Sequence, residues 1–196
     1  METAVNGADY KRLTDNIKIV AKGTNPAGNT NRLRVQVKSS DDNLTVTCMN
    51  SYMILRQIVK PVKAQEFEFW TGSLPDATGA TATFQYLKDE SPVASLWTDG
   101  ALFNILIDQT LVVSTGQYLD DPMREDKEPT KGTAISIDLL SRIARIKQPK
   151  SSFSDPASFS DPSWKFYFDG PVKGIYFTNS SMIPTIDGIF MPMKFN

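Results

Sequence analysis

The sequence contains no histidine and only one cysteine, Cys48, among its 196 residues. Without histidine there is no Ser-His-Asp or Cys-His nucleophile, no imidazole base and no His-containing metal motif. One cysteine closes no intrachain disulfide and builds no thiolate zinc site. It suits a reducing compartment, so a cytoplasmic protein is expected. On that expectation the sequons at Asn43 and Asn179 are chance matches. No apolar run approaches the roughly 20 residues that cross a bilayer, so no membrane association is expected. The opening Met1-Glu2-Thr3-Ala4-Val5-Asn6 lacks the basic and apolar regions of a signal peptide. The net charge of −1 is too small for a chain that coats nucleic acid by bulk charge alone. Carboxylate, lysine and tyrosine chemistry is all that remains for catalysis. A binding or scaffolding protein, not an enzyme, is expected, with neither metal nor cofactor.

What is present is the make-up of an ordinary folded domain, 40% hydrophobic and 22% charged, long enough to bury a core. Two segments have helical periodicity. Tyr10, Leu13, Ile17 and Val20 recur at spacings of three and four, with Asp9 as the expected N-cap and Gly23 as the stop. Leu139, Leu140, Ile143 and Ile146 form a second stripe, opened by Ser136 and ended by Pro149.

The rest reads mainly as strand. Residues 32–38 and 44–49 alternate with period two around a polar turn and predict a hairpin. Residues 66–70, 81–87, 93–97 and 102–107 are further candidates. Residues 164–168, 172–178 and 188–193 follow the second helix, with Asp169-Gly170 as a hairpin turn. The expected architecture is α+β in a single domain, 1–196. Two helix-plus-antiparallel-sheet halves, 1–73 and 131–196, are expected to pack side by side, and residues 74–130 form an inserted β block and acidic loop. Within residues 118–131 the acids lack the spacing of a calcium loop and read as a solvated charge run. Ser-Phe-Ser-Asp-Pro occurs twice, at 152–156 and 158–162, read either as a recognition loop or as a turn-rich connection.

Charge is unevenly spread. The first helical segment holds Lys11, Arg12, Lys18 and Lys22 against Asp15; the second holds Arg142, Arg145, Lys147 and Lys150 against Asp138. Two readings stand: basic residues that merely solvate amphipathic helices, or two helices facing a phosphate backbone without sequence readout.

The ending Gly188-Ile189-Phe190-Met191-Pro192-Met193-Lys194-Phe195 resembles the C-terminal strand of the bacterial sliding clamp, the β subunit of DNA polymerase III. Upstream, residues 135–146 resemble the clamp helix that follows a short strand, and residues 164–168 and 173–179 the two strands between helix and tail. The helix from Tyr10 and the strands Leu33–Val37 and Leu44–Thr47 resemble the opening of a clamp domain. Thr98-Asp99-Gly100-Ala101-Leu102 resembles a Thr-Asp-Gly element of that family, but lacks the His-Arg pair usual after the glycine.

The resemblance implies a non-catalytic, DNA-clamp-like protein whose two halves are related by pseudo-twofold symmetry and whose helices face double-stranded DNA. It would tether polymerase or other replication factors through peptide motifs. It implies DNA contacts at Lys11, Arg12, Lys18, Lys22, Arg142, Arg145, Lys147 and Lys150. A partner-peptide pocket is implied at Ile189, Phe190, Met191, Pro192 and Met193, with Thr98, Gly100 and Leu102 joining it if their element is equivalent. The alternative for the tail is a buried edge strand whose methionines fill core gaps. With one such domain per chain, a closed ring needs about six copies, so a homo-oligomer is one expectation. The other is a β-rich interaction module that keeps the fold without encircling DNA.

Overall fold

A computed structural model describes residues 1–22, 32–87, 93–113, 119, 135–149, 164–168, 174–179 and 185–191. The elements run β1 (Glu2–Asn6), α1 (Gly7–Ala21), β2 (Arg34–Ser39), β3 (Leu44–Met49), β4 (Met53–Val59), β5 (Phe67–Thr71), β6 (Thr81–Tyr86), β7 (Val93–Thr98) and β8 (Ala101–Leu106). A 3-10 turn (Gln109–Leu111), α2 (Ile137–Arg145), β9 (Trp164–Tyr167), β10 (Ile175–Asn179) and β11 (Ile186–Phe190) follow. The α+β class and the clamp-like arrangement of antiparallel sheets are as expected.

The strands form two antiparallel sheets, ordered β1-β6-β7-β8 and β5-β2-β3-β4-β11-β10-β9. Pairing cuts across the boundaries expected at residues 73 and 130. β1, from the start of the chain, heads the sheet of β6–β8, while β5 heads the sheet of β2–β4. The strands of the expected inserted block therefore share a sheet with β1, which pairs with β6. The last three strands extend the larger sheet across β4, where Arg56 lies opposite Asp187 and Leu55 opposite Gly188. At Gly188 the backbone allows no side chain: a Cβ there would lie 2.3 Å from the Ile54 carbonyl and 2.6 Å from the Phe177 ring.

Alternation sets the faces. Val35 and Val37 in β2, Leu44, Val46 and Cys48 in β3, and Met53, Leu55 and Val59 in β4 are all buried. They pack with Tyr10, Leu13, Ile17 and Val20 of α1 and with Phe84 and Leu96 of the smaller sheet. Cys48 is wholly buried, and burial pushes its thiol up, far from a reactive thiolate. Asn179 is also buried, its amide oxygen accepting from the Thr185 and Ile186 backbone, so its sequon is not an open acceptor.

Three local expectations differ from the structure. The N-cap of α1 is Asn6, whose side chain accepts from the Ala8 backbone; Asp9 lies inside the first turn. β1 and β4 lie outside the expected strands. Ser136 does cap α2, accepting from Leu139 at 3.4 Å. The loop cores at 120–131 and 151–163 and the Asp169-Gly170 turn lie outside the described residues.

The outer face of the larger sheet carries a second, small apolar cluster of Met49, Trp70 and Leu111. Leu111 reaches it because the chain bridges from β8 to β5 at Ile107 and Thr71, then crosses that face.

Candidate nucleic-acid interface

α1 lies along both sheets and α2 packs beside it. Asn16, buried on α1, fixes this arrangement. Its amide donates to Gln57 at 2.8 Å and to the Lys147 carbonyl at 2.9 Å, and its oxygen accepts from the Lys147 backbone at 2.7 Å. Arg142 on α2 donates to the carbonyl of Lys22 at the end of α1.

This packing brings several of the predicted cations together. Lys11, Lys18 and Lys147 surround Asp15: Lys11 is hydrogen-bonded to it, Lys147 lies 2.6 Å from it and Lys18 3.8 Å. Asp76, from the connection between β5 and β6, pairs with Lys18 at 2.6 Å and lies 3.8 Å from Lys11. Arg142 pairs with Asp138 at 2.6 Å. Lys22 and Arg145 are exposed, and Lys150 lies outside the described residues.

The ionisation of the cluster follows these contacts. Partial burial works against the Asp15 carboxylate, but hydrogen bonds from Lys11 and Lys147 outweigh it and hold Asp15 below the usual range. Lys18, by its hydrogen bond, lowers Asp76 in the same way. Lys11 is raised by its bond to Asp15.

Arg12 corrects the expected set. It is buried, pairs with Asp9 at 2.8 Å, and its Nη1 finds no partner among the described residues. Its position on α1 turns it toward the protein, so it offers no charge to a phosphate.

The tail residues divide by face. Phe190 is fully buried against Phe166 and Phe177, which removes it from any open pocket; alternation sends every second residue of β11 inward. Ile189 is partly buried on the opposite face, and Met191 is 47% exposed, its backbone N–H donating to Tyr52 at 3.0 Å. Pro192 and Met193 lie outside the described residues.

The Thr98–Leu102 element is not brought to the tail. Its Asp99-Gly100 turn has positive φ at both residues, 42° and 80°, the form that joins two strands tightly. Asp99 accepts from the Ala80 backbone, and the Ala80 carbonyl accepts from Gly7 at the start of α1. Met191 belongs to the far end of that helix, where Asn50 donates to the Val20 carbonyl and binds Tyr52. Fifteen helical residues separate the two ends, about 20 Å.

Sequence reasoning missed Asp76 and Asn16. Asp76 is a lone acid in a loop 58 residues from its lysine. Asn16 lies within the apolar stripe's own helix, where a buried amide has no periodic signature. A polar residue at an inward-facing helical position was the one available signal.

No family model and no curated protein matches the sequence. Solved structures do match over the whole chain. The β subunit from DNA polymerase of Streptococcus pyogenes superposes with a TM-score of 0.62 at 9% identity, and this chain spans 65% of its length. The H. pylori beta clamp gives 0.61 at 8% identity over 64% of its length, and the Pseudomonas aeruginosa DNA polymerase sliding clamp 0.59 at 10% over 65%. At such identities the likeness is one of fold, and the fold of this chain is that of the bacterial DNA sliding clamp.

Proposed function

We propose that the chain is a non-catalytic, sliding-clamp-like protein that tethers polymerase or other replication factors to double-stranded DNA. The carrying observation is the convergence of Lys11, Lys18 and Lys147 around one carboxylate at the junction of α1 and α2, on a clamp fold. Cations spaced along a backbone-facing surface give affinity through counterion release without reading sequence. Lys22, Arg142 and Arg145 extend the same pair of helices.

On this reading Ile189 and Met191, with Pro192 and Met193, border the partner-peptide site, without Phe190 and without the Thr98–Leu102 element. Oligomerisation would use β8 and β9, one terminal strand of each sheet, neither of which has an outer partner strand among the described residues. The cytoplasm is the proposed location; no helix among the described residues is long and apolar enough to cross a membrane.

The test is binding of relaxed circular and linear duplexes across a salt series, with the oligomeric state measured in parallel. A falling log K against log salt, weakened further by Lys18→Glu and Arg145→Glu, is expected. Absence of binding at low salt to both forms of DNA would sink the proposal.

A second reading, an interaction module that keeps the fold without the DNA role, is favoured by one observation. The α1 lysines are already paired with Asp15 and Asp76. Normal capture of a partner peptide by a protein indifferent to DNA would select it.

A further inference from the structure

Between β5 and β6 the chain runs through residues 72–80 without a helix, whereas α1 fills much of the run between β1 and β2. Three consecutive residues of this connection are set against α1. The buried Tyr10 donates its hydroxyl to the Pro75 carbonyl at 2.7 Å, and Ala77 is buried. Asp76 sits between these anchors with its side chain 53% exposed, 2.6 Å from Lys18. Its field reaches the anchor too, since burial first and Asp76 second push the Tyr10 phenol up.

On α1, Lys11, Asp15 and Lys18 share one face, spaced by four and three residues. The two carboxylates on this face differ. Asp15 is only 15% exposed and is held by Lys11 of α1 and by Lys147 just past the end of α2, so it belongs to the joint between the helices. Asp76 reaches the α1 lysines from outside the helices, between a hydrogen-bonded Pro75 and a buried Ala77.

We propose that Asp76 is an internal competitor for the DNA backbone, occupying Lys18 and screening Lys11 so that the α1/α2 face holds duplex DNA loosely. This rests on the reading that the face binds DNA, and adds the residue that sets how tightly. A lysine engaged by a carboxylate brings no net charge to the complex and so releases no counterion from DNA. An exposed ion pair is weak enough for a phosphate to displace, so contact with DNA exchanges one anion for another. The face keeps its cations while part of their charge is cancelled.

The experiment is anisotropy of a labelled, mixed-sequence duplex titrated with the full chain over a range of KCl concentrations. Asp76→Asn is expected to bind several-fold tighter, with a log K against log salt slope steeper by about one unit. Asp76→Ser should do the same, and thermal melting of both variants confirms that they are folded. In the double variant Lys18→Ala/Asp76→Asn most of the gain should vanish, because the lysine that Asp76 releases is gone. If Asp76→Asn and Asp76→Ser change neither affinity nor slope while Lys11→Ala and Lys18→Ala weaken binding, the competitor is overturned and the DNA-facing surface stands. If the lysine substitutions also have no effect, the DNA-facing reading itself falls, and the competitor with it.

Discussion

The two helices look alike in sequence, each with an apolar stripe and four basic residues against one aspartate, yet the fold treats them differently. α1 buries Tyr10, Leu13, Ile17 and Val20 between two sheets, along with Thr14, Asn16 and Arg12. α2 buries only Leu139 and Ile143 within its length, and leaves Ile137 82% exposed and Leu140 at the surface. The cations follow suit. On α1, Lys11, Arg12 and Lys18 are matched by acids from the helix and from a distant loop; on α2, Arg142 is tied down, and Arg145 is exposed on the last turn. A net count of charge along a helix therefore says little about the charge it offers. That depends on what the rest of the chain lays beside it.

Substitutions at matched positions sharpen this contrast. Leu13→Ala empties a site with no exposure and should lower unfolding free energy by about 3–5 kcal/mol in denaturant titration. Leu139→Ala should cost about half as much; equal losses would break the distinction between the helices. Asn16→Ala removes the link between α1 and the end of α2 and leaves Lys147 and Gln57 groups unpaired. A loss of about 2–3 kcal/mol is expected, together with faster amide exchange at Lys147.

Acid should act through the lysine-paired carboxylates. Their lysine partners hold Asp15 and Asp76 below the ordinary carboxylate range, so their contribution is complete above that range and is lost as pH falls through the folded pKa. Below about pH 4, the wild type should therefore lose stability faster than Asp15→Asn. Parallel pH profiles for the two proteins would refute that role. At neutral pH the Asp15→Asn effect should be about 1 kcal/mol or less. Smallest of all, Ile137→Ser should shift stability by no more than about 0.5 kcal/mol, since its side chain is almost wholly in solvent.

The strands whose burial alternates, such as Arg34–Ser39 and Val93–Thr98, were legible because one face is buried and the other is more open. β4 was not. Ile54 and Ile58 on its second face are partly covered, Ile54 by the Met49 and Trp70 cluster, while the polar Gln57 sits on the buried face, so apolar and polar residues do not alternate. The start of α1 was hidden because Asn6 is followed by Gly7 and Ala8, while the apolar stripe begins only at Tyr10. In the candidate site the basic residues were visible, as was the Met191 strand. The burial of Arg12 and Phe190 was not, since each is set by helix or strand phase against a distant partner. Asp76 was invisible for the same reason.

The pairing of β11 with β4 has a consequence in time. Arg56 and Asp187 meet as a two-bonded ion pair, at 2.9 and 2.8 Å, across 131 residues of chain, with Tyr176 hydroxyl donating to the same carboxylate. During synthesis every strand from β1 to β8 emerges long before β11. Closing so long a loop is slow compared with forming the local hairpins β2–β3 and β7–β8. β4 therefore spends the interval as a bare, apolar edge, the kind of surface on which nascent chains aggregate. Pulse-labelled hydrogen exchange should find Val46 and Leu96 protected before Ile186 and Ile189, and the reverse order would contradict this sequence of events.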